Sequence, residues 1–445
     1  MNLIKQIGDR HLFELLRGSF VALFFRVLGV VSIFLFMKIV TDLYGTEGYG
    51  LYNTLWAILM VGAVVAKLGF DSSIVKFIAA FYAQKKFRFI TQIYRKGLSW
   101  ISIAGILVGV LLFIFSKQLS IGFFETDEHA RLIVIIAMLV TPLSIIHFNA
   151  ETLKALKNIT AFSAFQNGTL LIVSLLVIGL FAIYRTLQDD IIYALGIAIV
   201  VLVPFSFILI RKGFGKRLNT NFEHVGDFPF SNGKILKTTL PMFYANSLFL
   251  IMGWADTLMI SGYMDNADVG IYNGALKIAT ISSTILMAVN SIAMPKYAEL
   301  FERNDFQLFK NFVKQTSLLI LLISLPLFLV IFIFPSFVLN LVDPQFVEGK
   351  EALLILAFGH FISAISGSTI HLLNMTGKEL IARNILLVSA VINIGLNFIF
   401  IPIWGITGAA IATSATTILW NLLAVFFIYR KFGFLTLPLN VKVRK

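Results

Sequence analysis

Hydrophobic and polar positions alternate along this chain in long blocks rather than short periods. From Phe24 to Asn53 it reads FFRVLGVVSIFLFMKIVTDLYGTEGYGLYN, an apolar run of bilayer length that carries Arg26 and Lys38 and closes on a short Gly-rich turn. The same pattern predicts spans at 20–43, 51–70, 98–116, 131–150, 161–183, 190–210, 238–261, 270–294, 315–334, 351–374, 381–401 and 406–429. Ahead of them Leu3, Ile4, Ile7, Leu12, Leu15 and Leu16 make a loosely helical apolar stripe beside Lys5, Arg10 and Arg17, which predicts a helix lying on the cytoplasmic membrane surface. Twelve spans put both termini on one side.

The blocks repeat. A shift of 220 residues lays GTEGYGLYN (Gly45 to Asn53) on DNADVGIYN (Asp265 to Asn273), so that Gly50, Tyr52 and Asn53 meet Gly270, Tyr272 and Asn273. Leu153 falls on Leu373 in the same register. An even number of spans per half gives both halves the same orientation. The expected fold is therefore all-α: a polytopic membrane protein of twelve transmembrane helices in two six-helix lobes, related by a pseudo-two-fold along the membrane normal and V-shaped around a central cavity. The N-terminal lobe takes 1–212, a polar cytoplasmic linker holding Gly, Asn and Pro takes 213–235, the C-terminal lobe takes 236–430, and a basic cytoplasmic tail takes 431–445.

Composition agrees with the pattern: 58% of residues are hydrophobic and 13% charged, with a mean hydropathy of +0.89, against roughly 45–50% and about 25% in soluble domains. The net charge of +13 raises the question of a nucleic-acid partner, but Lys and Arg do not gather on one soluble face. They alternate between loops, crowding the N-terminal segment, the even-numbered loops and the C-terminus, while the odd-numbered loops hold only Lys117, Arg131, Arg185 and Lys350. That distribution puts both termini in the cytoplasm and excludes nucleic acid as the partner. With no cysteine, disulfides and thiolate metal sites are ruled out. Met1 to Gly18 has no small-residue cleavage pattern, so no cleavable signal is expected. The break at 71–97, with Lys85, Lys86, Arg88, Arg95 and Lys96 among Phe87, Phe89, Ile90 and Tyr94, suits an interfacial helix on anionic lipid.

Charges inside the spans are the candidate chemistry, because each costs roughly 2.5–3.5 kcal/mol at a helix centre and should face protein or water. Arg26, Lys38 and Lys277 are the candidate cations of a substrate path, with an internal ion pair or helix-packing contact as the structural counterpart for Arg26. Asp256 is the one carboxylate well inside the second half, suited either to pairing with Lys277 or to taking up a proton or sodium ion. Asp42, four residues after Lys38, is the second ion-coupling candidate, although a local ion pair explains it equally well. Lys67 and Asp71 end span two as an i,i+4 pair and are candidate cytoplasmic gate residues, and Glu151 sits similarly at the end of span four. Asn246, Asn290, Asn374, Asn393 and Asn397 are expected to bond between helices. His147, His360 and His371 have no metal-ligand spacing. Pro204 and Pro326 should kink their spans, and the small residues of GITGAAIATSAT (Gly405 to Thr416) should let span twelve approach a neighbour closely.

Five stretches carry a family resemblance: MKIVTDLYGTEGYGLYN (Met37 to Asn53), GFDSSIVKFIA (Gly69 to Ala79), ADTLMISGYMDNADVGIYNGALKIA (Ala255 to Ala279), AMPKYAEL (Ala293 to Leu300), and LLNMTGKELIARN with VINIGLNFIFIPIWGITGAAIAT (Leu372 to Thr413). Together they resemble the polysaccharide biosynthesis flippases, the O-antigen and exopolysaccharide exporters of the multidrug, oligosaccharidyl-lipid and polysaccharide transporter superfamily. The resemblance implies a substrate that is a polyprenyl-diphosphate-linked oligosaccharide, turned from the cytoplasmic to the outer leaflet of the plasma (inner) membrane. Its implied partners are the lipid-linked glycan itself, membrane lipids, and the polymerase and glycosyltransferases that handle the same glycan. No cofactor is implied beyond proton or sodium coupling, and without a GxxxxGK[ST] stretch direct ATP use is unsupported.

Three rivals differ in what they require. Drug and toxin extruders of the superfamily often carry an acidic residue in the first lobe, whereas Phe36 stands at the position the repeat matches to Asp256. The peptidoglycan-precursor flippases resemble a fourteen-span design. A membrane glycosyltransferase or polymerase would need acidic clusters in a sizeable outer loop, and Asp189 with Asp190 sits in a very short one. The reading is a transporter, not an enzyme.

Overall fold

Inside hydrocarbon a backbone has no water to bond, so apolar blocks of this length must satisfy their own N–H and C=O groups as helices. The structure, a computed structural model, describes residues 10–84, 86–166, 168–184, 187–218, 231–303 and 305–437. It is all-helical among these residues. The chain divides into two compact units, Met1–Ile251 and Met252–Lys445. That division falls inside a helix, beyond the 213–235 stretch expected as the linker, of which 219–230 lie outside the described residues.

The first unit holds α1 (Arg10–Lys67), α2 (Phe70–Ala83), α3 (Phe87–Ile114), α4 (Ser116–Phe124), α5 (Ala130–Ala155), α6 (Ile159–Gln166), α7 (Thr169–Tyr184), α8 (Asp190–Leu218) and the first part of α9 (Asn232–Ser261). At its centre α5 packs on α1, α2, α3, α6 and α8, burying Ile133, Ile136, Val140 and Phe148. The outward face is no less apolar: on α3, Ile103, Ile106, Leu107, Leu111 and Ile114 are each more than half exposed. A helix buried on one side and greasy on the other is built for lipid.

The second unit holds the rest of α9, then α10 (Asn266–Ala279), α11 (Ile281–Glu302), α12 (Phe306–Ile333), α13 (Pro335–Asn340), a 3₁₀ turn at Pro344–Gly349, α14 (Lys350–Ser366), α15 (Thr369–Met375) and α16 (Glu379–Phe432). Tyr297, Phe309, Leu372, Leu373 and Ile428 form its buried cluster, and Phe434 packs into it. The segment after α16 is thus not free tail, since Thr436 also donates to the Ser366 carbonyl at 2.7 Å. Residues 438–445 lie outside the described residues.

Seven helical stretches of the described residues are long and apolar enough to cross a membrane, or eight if α6 and α7, bent by 52°, form one broken span. Two of the seven, Phe24–Tyr82 and Glu379–Phe432, run to 59 and 54 residues, far beyond the roughly 20 residues a bilayer takes. Each is interrupted by a glycine with positive φ, Gly45 at 72° and Gly405 at 56°, a conformation that side-chain-bearing residues resist. The Gly-rich turn expected after the first span is the Gly45 kink. Pro204 and Pro326 lie inside α8 and α12, and the breaks in the two longest helices fall at glycines.

Two expectations change. The N-terminal stripe is not a separate surface helix from Arg10 onwards, because nothing between Arg10 and the first span stops α1, and residues 1–9 lie outside the described residues. The basic stretch 87–97 is the start of the α3 span helix, with Phe89, Ile90, Ile93 and Tyr94 buried against the unit rather than resting on lipid.

The 220-residue register reappears as matched bonds within each unit. Asn53 Nδ2 donates to the Tyr49 carbonyl at 2.7 Å, and Asn273 Nδ2 to the Val269 carbonyl at 2.9 Å. Phe36 packs on Tyr52 with ring centroids 4.7 Å apart, and at the corresponding positions Asp256 takes a hydrogen bond from Tyr272. Matched positions thus carry an aromatic contact in the first unit and a polar contact in the second.

Small residues do their expected packing work on α16. Ser414 donates to the Ile355 carbonyl at 2.7 Å, and a Cβ on Gly359 of α14 would stand 2.8 Å from the Ser414 hydroxyl and 2.9 Å from its Cα and Cβ. Gly359→Ala should destabilise the protein by about 1–3 kcal/mol through overpacking, read as a lower thermal midpoint in detergent. Adding Ser414→Gly should recover only part of the loss, because the contact with the residue 414 Cα remains and the Ser414–Ile355 hydrogen bond is lost.

Candidate functional site

In the second unit the register of α9 against α10 is set by Thr257 Oγ1, which bonds Asn273 Oδ1 at 3.1 Å. One residue back, the buried Asp256 carboxylate accepts from the Tyr272 hydroxyl at 2.7 Å and from Asn397 Nδ2 at 2.6 Å, and Thr413 Oγ1 donates to it as well. Asn397 also donates to Asn393 Oδ1 at 3.2 Å, and Asn393 Nδ2 reaches Thr413 and Thr416, each at 3.4 Å. Asn393 and Asn397 precede the Gly405 break in α16, while Thr413 and Thr416 follow it. The break therefore lets two arms of one helix close on a single carboxylate. The Asn397 Oδ1 atom beside it is buried without a hydrogen-bond partner among the described residues.

Lys277 is not the partner of Asp256. Two residues along a helix turn through about 200°, so Trp254 and Asp256 present opposite faces of α9, and Lys277 meets the Trp254 face. Its Nζ lies 5.5 Å from the Trp254 ring centroid, with no ion pair or hydrogen bond among the described residues. The expected structural pair is replaced by an anion held by neutral donors and a cation held by an indole.

In the first unit Arg26 is partly buried on α1 and likewise has neither an ion pair nor a hydrogen bond among the described residues. Lys38 and Asp42 come together at 2.9 Å with both side chains 48% exposed. Lys67 and Asp71 also pair at 2.9 Å, but across the α1–α2 break rather than along one helix, and with side chains only 8% and 17% exposed. Leu68 and Gly69, both at positive φ, make that break. Gly69 has no room for a side chain: its Cβ would stand 2.3 Å from the Thr239 carbonyl oxygen. Glu151 pairs with Lys154 at 3.1 Å.

Of the intramembrane asparagines, Asn290 bonds Ser368, Asn393 and Asn397 join the Asp256 network, and Asn374 is exposed. The Asn246 side chain lies outside the described residues. Four residues of the Asp256 site were legible only in part: Tyr272 lay in the repeat, Asn393 and Asn397 were expected to bond between helices, and Thr413 lay in the Gly405 to Thr416 stretch expected only to pack. Trp254 had none either.

A multi-pass helical protein with single charges fixed in apolar helices has the make-up of a membrane carrier. The model of the polysaccharide biosynthesis protein family matches residues 15–301, well over half of the chain, and the chain belongs to that family. The MatE family model matches residues 241–399. An uncharacterised membrane protein of Methanocaldococcus jannaschii is 23% identical over 390 residues, 82% of this chain and 74% of its own. The probable low-salt glycan biosynthesis flippase of Haloferax volcanii is 24% identical over 230 residues, 51% of this chain and 46% of its own length. Among solved structures, the lipid II flippase MurJ in an inward closed conformation aligns with a TM-score of 0.72 at 17% identity, covering 93% of this chain and 87% of that one. An inward-facing multidrug resistance MATE family transporter aligns at 0.73 and 14% identity, covering 93% and 98%. These likenesses give the chain the fold of that superfamily of membrane transporters and flippases.

Proposed function

We propose that this protein moves a polyprenyl-diphosphate-linked oligosaccharide from the cytoplasmic to the outer leaflet by alternating access, for surface polysaccharide biosynthesis. The observation that carries the reading is the pair of cations with no ionic partner among the described residues, Lys277 and Arg26. An uncompensated charge at a helix centre costs roughly 2.5–3.5 kcal/mol, and a diphosphate passing the side chain supplies the missing counter-charge during transport. Lys38, tied to Asp42 at rest, has a weaker claim on the same substrate. Twelve spans with both termini cytoplasmic complete the picture, in the plasma membrane and beside the polymerase and glycosyltransferases of the same glycan. Lys67 with Asp71 would serve as a cytoplasmic gate, opening at the Leu68–Gly69 break.

Movement of the headgroup is coupled, in this reading, to a proton or sodium ion at Asp256. The carboxylate and the free Asn397 Oδ1 offer the oxygen donors a small hard cation takes, and a proton needs the carboxylate alone. A second reading, a cation-coupled drug or toxin exporter, draws on the MatE match over 241–399, which contains Asp256.

The test is reconstitution of the full chain in vesicles holding a fluorescent alkyl-diphosphate-linked sugar, with leaflet exchange followed by a membrane-impermeant quencher. Exchange should run at least tenfold faster than in protein-free vesicles. A rate equal to that of empty vesicles, with uptake of a cationic dye instead, would replace the glycan reading with the drug reading.

A further inference from the structure

The Lys277–Trp254 contact is a consequence of helix register, and it is not demanded by the fold. Thr257 and Asn273 fix α9 against antiparallel α10. One turn back along α9 is Trp254, and one turn on along α10 is Lys277, so both step the same way from that bond and meet. The positions that the repeat matches to them are Phe34 and Ala57. The first unit uses apolar residues where the second places an indole against an ammonium, so packing alone needs neither.

An ammonium held only by an aromatic face is loosely held. Such a contact is weaker than the charge-assisted hydrogen bonds a phosphate offers. A phosphate within reach therefore draws Lys277 off the ring and leaves an indole face bare beside it. Trp254 is only partly buried, and a Cβ on the neighbouring exposed Gly253 would meet no described atom within 4 Å, so this stretch of α9 is not packed shut by the described residues.

We propose that Trp254 and Lys277 form a two-part subsite in which the lysine takes the diphosphate and the vacated indole stacks the C–H face of the pyranose attached to it. The inference rests on the flippase reading and adds a recognition element to it: the ring that holds the cation at rest measures whether a sugar follows the phosphate. Any pyranose presents such a face, so the subsite demands a sugar without choosing which one. A bare lipid diphosphate, the carrier after its glycan is gone, would engage only half of it. The arrangement thus favours loaded carrier over empty carrier in the direction of export.

The experiment compares two probes on the purified full chain in lipid nanodiscs, dodecyl diphosphate and dodecyl diphosphate bearing a single glucose, by calorimetric titration. The sugar-bearing probe should bind wild type about tenfold more tightly, the equivalent of roughly 1.4 kcal/mol of ring contact. Trp254→Ala should bring that ratio close to one while leaving the affinity for dodecyl diphosphate within about threefold, and Trp254→Phe should keep most of the ratio. Lys277→Gln should weaken both probes. If both probes bind and Trp254→Ala keeps the wild-type ratio, the sugar subsite is wrong and the flippase reading stands. If neither probe binds wild type, the diphosphate reading itself falls, and the subsite with it. Equal melting temperatures for the variants guard against loss of binding through misfolding.

Discussion

Lys277→Met should reduce export of lipid-linked glycan by at least tenfold in a deletion background while leaving the protein as stable as wild type, or more so. The two halves of that expectation come from one fact. A lysine kept for the fold loses stability when removed, because its partner is stranded; here the described residues supply no ionic partner, only the Trp254 face. Removing the charge takes away the cost of holding an ammonium among apolar helices and gives up about 0.5–2 kcal/mol of cation–π contact. Charge-assisted bonds to a phosphate are worth roughly 1.5–3 kcal/mol, which sets the tenfold floor on transport. Arg26→Ala should behave alike, and Arg26→Lys should restore part of the flux because point charge survives without the planar fork. Surface glycan and thermal midpoint are the paired readouts. Normal glycan from both charge-removing variants would end the cationic-path reading, and a large drop in midpoint would reassign the two residues to packing.

Much of this was legible from the chain because membranes simplify the physics. Block length predicted helices, and the Gly-rich motif after Tyr44 marked the turn that became the Gly45 kink. The repeat located the positions that matter: Phe36 touches Tyr52 in the first unit, and their matches Asp256 and Tyr272 touch in the second. What failed was charge pairing by type. Asp256 and Lys277 looked like natural partners because opposite charges close in sequence invite pairing, yet a two-residue step on α9 sends the indole and the carboxylate to opposite faces. The true partners of Asp256 on α16, Asn397 and Thr413, lie 141 and 157 residues away. Only a break at Gly405 brings both to it, and a break is visible in the fold before it is visible as a partner list. Likewise the Lys67–Asp71 spacing promised a surface pair along one helix, whereas two positive-φ residues between them make it a buried clasp across a bend.

Asp256→Asn should abolish the response of transport to an ion gradient without unfolding the second unit. The geometry makes the asparagine a discriminating substitution. Its carbonyl oxygen still accepts from Tyr272 or Thr413, while its amide faces the Asn397 amide group that now donates to Oδ1 at 2.6 Å. One amide flip at Asn397 turns its Oδ1, unpartnered among the described residues, toward the new donor and repairs the conflict, so the loss of stability should stay within about 2 kcal/mol, the scale of one buried polar mismatch. What cannot be repaired is the charge: a neutral side chain neither binds a proton at working pH nor balances a sodium ion. Gradient-driven accumulation of the sugar-diphosphate probe in vesicles should therefore fall to the downhill level, and Asn397→Leu should separate the two ions. Loss of sodium dependence with the pH response kept would assign sodium, because the amide oxygen ligates a cation but is not needed to protonate a carboxylate. Unchanged gradient dependence in Asp256→Asn would leave the carboxylate as a structural knot between α9, α10 and the two arms of α16.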